Sequence, residues 1–335
     1  MNPFHPAKDF LSLTLDALTP GQPQWQQHGI HAHWLAPGLL ELCPAHPAAN
    51  LEHILLSAGV HGNETAPIEV LCGIVNDLLD GTLPLHARLL VALGNIPAMQ
   101  AGKRFIDYDM NRLFNGQHAS QPQAAEAARA AELEQAAEHF FAGANGPRRH
   151  YDLHTAIRGS VFERFAIYPY LHDRQHNREQ LMWLAQADIH TVLLHSKPAA
   201  TFSYFTSQHC QADAFTLELG KARPFGQNDL SRFSGIDQAL RQLVCGQPRS
   251  AGPYDAKRVQ LFRASYDLIK HSGDFVLHLA DEVENFTALP DGMLIAEDGD
   301  IRHIAKGGEE RILFPNPRVS IGLRAGIIIA PTTLD

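Results

Sequence analysis

At 335 residues, with 45% hydrophobic and 19% charged residues, the chain has the composition of a globular protein long enough for two domains, or for one large domain with an appendage. Its formal charge of −9, with no basic block to offset it, argues against a nucleic-acid or anionic-membrane surface, so an anionic small ligand must be gripped by a local cluster of arginines. Cys43, Cys72, Cys210 and Cys245 lack paired spacing, which indicates neither a thiolate zinc site nor a disulfide scaffold and fits reduced thiols in the cytoplasm.

Met1 to Pro20 has no basic start followed by a long apolar run, and no later apolar segment approaches the length of a membrane span, so a cytoplasmic protein without a signal peptide is expected. Ile30 to Leu35 and Leu39 to Leu42 read as small strands leading into a main sheet. The apolar run Leu51 to Val60 is a strand, and the amphipathic stretch Ile68 to Leu79 is a helix. Between them, Gly59 to Pro67 (Gly-Val-His-Gly-Asn-Glu-Thr-Ala-Pro) forms a strand-to-helix turn, the place where a parallel sheet carries its chemistry. His61 and Glu64 lie three positions apart on that turn, and Gly62 permits the tight path on which they converge. An imidazole and a carboxylate so placed supply two of the three protein ligands of a catalytic zinc. The same pair also arises by chance as a surface contact, so its weight depends on the rest of the chain.

His86 to Ile96 is a second apolar strand. The irregular loop after it holds Arg104, Asp107, Asp109, Asn111 and Arg112. As a solvated loop this composition is unexceptional; as a site, Asn111 and Arg112 form a donor pair for a carboxylate, and Arg104 supplies positive charge for a developing oxyanion. Gln123 to Phe141 is a helix whose Glu and Arg residues read as an exposed face without function. His150 to Thr155 is a short strand in which period-two geometry puts Asp152 and His154 on one face and Leu153 on the other. His154 is then a candidate third ligand, and Asp152 an acceptor for a ligand imidazole's free N–H, although a core histidine bonded to an aspartate fits the stretch as well. Arg158 and Arg164 follow, and either could reach a second anionic group; Arg164 could equally sit in a surface ion pair.

Val161 to Pro169 reads as a strand, Asp173 to Ala187 as a helix, and Ile189 to Leu194 and Thr201 to Thr206 as further strands. In Ala214 to Lys221, Glu218 projects from a mostly apolar strand, where an isolated carboxylate requires a reason. A water to deprotonate beside a metal is one reason; an exposed strand end, or pairing with Lys221 or Arg223, is another. Asn228 to Val244 reads as a helix and Gly246 to Tyr254 as a linker, giving an α/β catalytic domain over 1–248 and a smaller β-rich domain over 255–335. The latter is read from the short strands Val259 to Tyr266, Phe275 to Leu279, Gly292 to Ile295, Ile301 to Ile304 and Gly322 to Ile329.

The order His-x-x-Glu, Asp-x-His and a strand Glu resembles the zinc carboxypeptidase superfamily, and within it the succinylglutamate desuccinylase and aspartoacylase branch. The resemblance rests on Gly59 to Pro67, Asp109 to Phe114, Asp152 to Ser160 and Thr216 to Gly220. It implies a mixed sheet flanked by helices, with a C-terminal β domain partly covering the site mouth. It further implies one Zn2+ per chain on His61, Glu64 and His154, with Asp152 behind, and Glu218 as general base. Arg104 then polarises the scissile carbonyl, and Asn111 and Arg112, joined by Arg158, hold substrate carboxylates. The implied reaction is hydrolysis of a small anionic N-acyl amino acid: N-succinylglutamate, as in arginine catabolism by the succinyltransferase route, or alternatively N-acetylaspartate or a peptide carboxy-terminus. A non-catalytic binding protein with a structural metal site is the rival from another class. A homo-oligomer is compatible with either.

Overall fold

The structure, a computed structural model, describes residues 9–247 and 252–334. Residues 1–8 of the amino-terminal stretch and 248–251 of the expected linker, with the domain boundary placed there, lie outside the described residues.

In chain order the elements are α1 (Phe10–Leu15), β1 (Gln24–Gln27), β2 (Ile30–Ala36), β3 (Leu39–Pro44), β4 (His53–Ala58), α2 (Thr65–Leu79), β5 (Arg88–Leu93), α3 (Ile96–Ala101), α4 (Ala125–Phe141) and β6 (Arg148–Ala156). There follow β7 (Phe165–Tyr168), α5 (Arg178–Gln186), β8 (Thr191–Leu194), α6 (Phe202–His209), β9 (Asp213–Lys221) and α7 (Ser234–Val244). The C-terminal strands are β10 (Gln260–Ile269), β11 (Val276–Leu277), β12 (Thr287–Ala288), β13 (Leu294–Asp298), β14 (Ile301–Ile304), β15 (Arg311–Leu313) and β16 (Arg324–Thr332).

Thirteen strands form one mixed sheet in the order β1-β2-β3-β5-β4-β6-β9-β7-β8-β10-β16-β15-β12. Its centre is parallel: β4 pairs with β5 and with β6, and β6 with β9. All six residues of β4 are buried, as a strand covered on both faces requires. Alternate side chains serve opposite layers. Ile54, Leu56 and Ala58 pack in one core with Val70, Leu71 and Ile74 of α2, whereas Leu55 packs in another with Ala130, Leu133 and Ala137 of α4. Strand β6 obeys the same rule, so that Tyr151 and Leu153 enter the α2 core and leave Asp152 and His154 on the opposite face.

The C-terminal chain continues the large sheet through β10, which runs parallel to β8 and antiparallel to β16. It also forms a separate sheet in the order β11-β13-β14 around its own small core. An aromatic cluster joins the two parts: the Phe286 ring stacks edge-on against Phe162 and Phe165 at centroid separations of 5.2 and 4.9 Å.

Three sequence expectations need correction. Thr201 to Thr206 is not a strand but the start of α6, because the Thr201 hydroxyl caps the helix by accepting from the Tyr204 N–H. Asn228 to Val244 is a single-turn 3-10 helix, Leu230–Phe233, followed by α7. Helix α4 does not present a uniformly exposed charged face. Glu126 and Glu134 are buried, and Arg129 turns inward to donate to the carbonyls of Pro37, Leu93 and Gly94.

Candidate active site

The carboxyl ends of the parallel strands β4, β6 and β9 bring the site together. After β4 the chain turns sharply through Gly62, where a Cβ would lie 2.3 Å from the backbone of Ala98 and Met99 in α3. The Gly62 N–H donates to the Arg104 carbonyl at 3.1 Å, which ties the turn to the loop after α3. Glu64 then stands at the N-cap of α2 with no capping bond of its own, leaving both carboxylate oxygens for the site. One oxygen lies 2.9 Å from His61 Nδ1 and the other 3.0 Å from His154 Nδ1. Ligand atoms of His61, Glu64 and His154 fall within 4.8 Å of one another, and all three residues are buried.

The outer nitrogens fix the tautomers. His61 Nε2 donates to Asp109 Oδ1 at 2.9 Å, and His154 Nε2 donates to Asp152 Oδ2 at 2.9 Å. Asp152 in turn accepts from Ser57 at 2.5 Å, and Ser57 Oγ lies 2.8 Å from His150 Nε2. Both Nδ1 atoms are thereby directed at the oxygens of Glu64. His61 Nδ1 approaches Glu64 Oε1 at 2.9 Å yet makes no hydrogen bond among the described residues, a buried ring nitrogen left available to a cation. Burial disfavours charge on His154, but Asp152 and Glu64 outweigh it and hold the imidazole protonated well above its usual range. Burial likewise acts to raise Glu64, yet the two imidazoles keep it well below the usual carboxylate range. Two imidazoles and a carboxylate, with orienting acceptors behind each imidazole, are the donor set of a zinc site with a position left open. The residues fit that ion.

Glu218 lies opposite His154 in the parallel β6–β9 register. It is buried, and its Oε2 has no partner among the described residues. Desolvation pushes its pKa up to about 7; His154 opposes the rise and Glu64 adds to it. A carboxyl group poised near neutrality beside a cation site is suited to accept and return a proton. Neither Lys221 nor Arg223 forms an ion pair with it among the described residues.

The 104–112 loop lines the opening. Arg104 donates to Glu64 Oε1 at 2.8 Å. Asn111 is buried, accepting from the Phe202 N–H at the start of α6 at 3.3 Å, while the exposed Arg112 donates to the Asn111 carbonyl at 2.9 Å. Arg158, by contrast, is directed at the Asp281 carbonyl of the C-terminal chain, and Arg164 pairs with Asp188.

The chain matches the succinylglutamate desuccinylase/aspartoacylase catalytic domain over residues 50–244 and the AstE/AspA barrel-sandwich hybrid domain over residues 257–332. The chain belongs to the succinylglutamate desuccinylase/aspartoacylase family. It is 63% identical to a succinylglutamate desuccinylase of Chromobacterium violaceum over 91% of this chain and 92% of that protein. A crystal structure of the succinylglutamate desuccinylase from Chromobacterium violaceum superposes with a TM-score of 0.89 at 58% identity, covering 97% of this chain and 98% of that one. That of Vibrio parahaemolyticus gives 0.88 at 31% identity, covering 98% and 96%. Membership of this family makes the chain a hydrolase of amide bonds, built on a carboxypeptidase-like mixed sheet with a C-terminal barrel-sandwich domain.

Three features of this family member escaped the sequence. Asp109 has no role of its own in the sequence reading, where it belongs to the polar loop and opens the Asp109 to Phe114 stretch, whereas it orients His61. Ser57, inside the apolar β4, and His150, at the head of the His150 to Thr155 strand, carry no role in the sequence reading, yet they extend the chain of hydrogen bonds behind Asp152. Arg324, at the start of β16, is held by Asp267 at 3.8 Å. Burial and the nearby Arg112 lower its pKa to about 10, against the opposing pull of Asp267 and Asp109. It is thus a cation of the C-terminal domain within electrostatic reach of Arg112. Its one sequence signal is a charge at the head of an otherwise apolar strand.

Proposed function

We propose that this family member is a cytoplasmic, zinc-dependent succinylglutamate desuccinylase, hydrolysing N-succinyl-L-glutamate to succinate and L-glutamate in arginine catabolism by the succinyltransferase route. One observation carries the mechanistic part of the reading. A buried Glu218, its Oε2 without a hydrogen-bond partner among the described residues, stands beside a His61–Glu64–His154 cluster whose donor atoms lie within 4.8 Å of one another. A structural metal site has no use for such a base.

His61 and His154 through Nδ1, and Glu64 through its carboxylate, would hold the zinc. When bound, it supplies Lewis acidity that acidifies water and polarises a carbonyl. Glu218 takes a proton from the attacking water at Oε2 and returns it to the departing amine, a cycle that suits a carboxylate with a pKa raised toward 7. Arg104, beside Glu64, stabilises the negative charge that develops on the carbonyl oxygen. Asp109 and Asp152 keep the two imidazoles in the tautomer that presents Nδ1. Asn111 and Arg112 grip a substrate carboxylate, with the guanidinium fork and the amide supplying complementary donors. A substrate with three carboxylates needs further cations, for which Arg324 and Arg158 are the candidates.

The test is a panel of N-succinyl, N-acetyl and peptide amides assayed with added zinc. N-succinylglutamate is expected to give the highest kcat/KM. A preference for N-acetylaspartate or a peptide would reassign the substrate within the same chemistry. Background turnover across the panel by zinc-loaded protein would favour a non-catalytic binding role.

A further inference from the structure

The 104–112 loop carries Arg104, Asp109, Asn111 and Arg112, yet little apolar packing secures its first half. Phe105 and Ile106 are 37% and 38% exposed. What holds this segment is a carboxylate on a different element. Glu126, in the first turn of α4, is 1% exposed, and its carboxylate faces three consecutive backbone amides. It accepts from the Ile106 N–H at 2.6 Å, the Asp107 N–H at 3.3 Å and the Tyr108 N–H at 3.1 Å. A fourth bond comes from the Asn95 amide at 3.0 Å. Burial acts to raise the Glu126 pKa, but these donors outweigh it and leave the carboxyl below its usual range.

The loop returns the contact. Helix α4 has Ala124 at its N-cap, which offers no side-chain acceptor, and Asp107 supplies one by accepting from the Ala125 N–H at 2.9 Å. Loop and helix end therefore clamp each other through two carboxylates, a reciprocal version of the capping box made between distant segments. Asn95 links the clamp to α3, since its Oδ1 accepts from the Ala98 N–H at 3.2 Å, next to the backbone that abuts Gly62.

We propose that Glu126 is a positioning residue for the reaction: it fixes the backbone of residues 106–108 so that Arg104 and Asp109 on either side meet Glu64 and His61. This rests on the hydrolase reading of the site above. It acts through backbone geometry, because Glu126 itself touches none of the candidate metal ligands among its hydrogen-bond partners.

The decisive variant is Glu126→Gln, which keeps the side chain's shape but turns an NH2 group toward at least one backbone N–H. Kinetics on N-succinylglutamate are combined with hydrogen–deuterium exchange of a peptide spanning residues 104–112. The expected result is a fall in kcat/KM of about tenfold or more, shared between kcat and KM, with faster exchange in that peptide and little change in α2 or β9. Asp107→Ala, which opens the other half of the clamp, is expected to act in the same direction and guards against a Gln variant that fails to fold. Unchanged kinetics in folded variants, or a lower melting temperature with normal kcat and KM, would overturn the proposal. Wild-type protein that turns over no amide would instead remove the hydrolase reading, so the two failures are distinguishable.

Discussion

His154 and Glu218 are register partners on the adjacent parallel strands β6 and β9, so a candidate metal ligand and a candidate base are fixed by the same backbone hydrogen-bond ladder. Their separation does not depend on loop conformation. Removing the charge from Glu218 should therefore alter chemistry without moving the ligands. Glu218→Gln is expected to retain stoichiometric zinc by elemental analysis while kcat falls by about 10²–10⁴, the usual contribution of a positioned proton-transfer group. Retained turnover removes Glu218 from the base role.

The same substitution has a pH-dependent effect on stability in chelator-treated protein. Glu218 has a pKa of about 7 when folded, against an ordinary 4.5. A carboxyl raised in this way contributes stability that is fully present below about pH 4.5 and is lost as pH rises through about 7. The loss amounts to about 3 kcal/mol at most. A neutral Gln avoids it. Glu218→Gln should thus be more stable than the wild type at pH 8 and equal to it near pH 4.5, as followed by denaturant unfolding. A difference that does not vary with pH counts against a buried, raised carboxyl.

Asp152 is buried and accepts from both His154 and Ser57. Replacing it by Asn removes the charge that makes His154 a basic ligand and lets the amide face either partner with the wrong group. Zinc affinity, measured by competition with a chromogenic chelator, is expected to fall about 10–100-fold. An unchanged affinity would show that His154 is oriented by its strand alone.

The candidate ligands legible in the sequence stand where apolar strands meet polar residues: His61 and Glu64 on the turn after β4, and His154 within β6 at period-two spacing from Asp152. Glu218 stands out because a carboxylate interrupts an apolar alternation. The parallel sheet was legible because buried strands such as β4 are continuous apolar runs. Glu126 was not, because in an Ala- and Glu-rich helix nothing local separates a carboxylate that leans inward onto a distant loop from one in water. Arg324 was hidden by distance along the chain. Helix α6 is hidden because Thr201, a β-branched residue that suits a strand, is here the N-cap whose hydroxyl accepts from the Tyr204 N–H. For Glu126 and Arg324 the deciding partner lies on another segment.

Arg324 supplies a prediction about specificity. Its partly buried guanidinium lies in the field of the exposed Arg112, which lowers its pKa, and a cation so placed is stabilised by an anion bound nearby. Arg324→Ala is expected to raise KM for an N-acyl amino acid with a charged acyl group by roughly 10–100-fold, the value of about one charge-assisted hydrogen bond. Turnover at saturation should change little. An equal loss on an amide with an uncharged acyl group would mean that Arg324 supports the fold of β16 and not the substrate.

Gly62 tests whether the site depends on the contact between its first turn and α3. A Cβ there would fall 2.3 Å from the Ala98 carbonyl carbon and the Met99 nitrogen, atoms of a helix backbone held by the Asn95 cap, so the turn must give way and not the helix. Because His61 and Glu64 flank Gly62 within two residues, any displacement reaches both ligands. Gly62→Ala is expected to cost about 1–3 kcal/mol or more of stability and to weaken zinc binding in the protein that still folds. Gly73, inside α2, is the control, since a Cβ there meets only the Arg241 guanidinium at 3.8 Å. Gly73→Ala should stabilise by about 0.5–1 kcal/mol through helix propensity and leave zinc affinity unchanged. If both variants behave alike in denaturant unfolding and in chelator competition, the close approach of α3 does not set the ligand geometry.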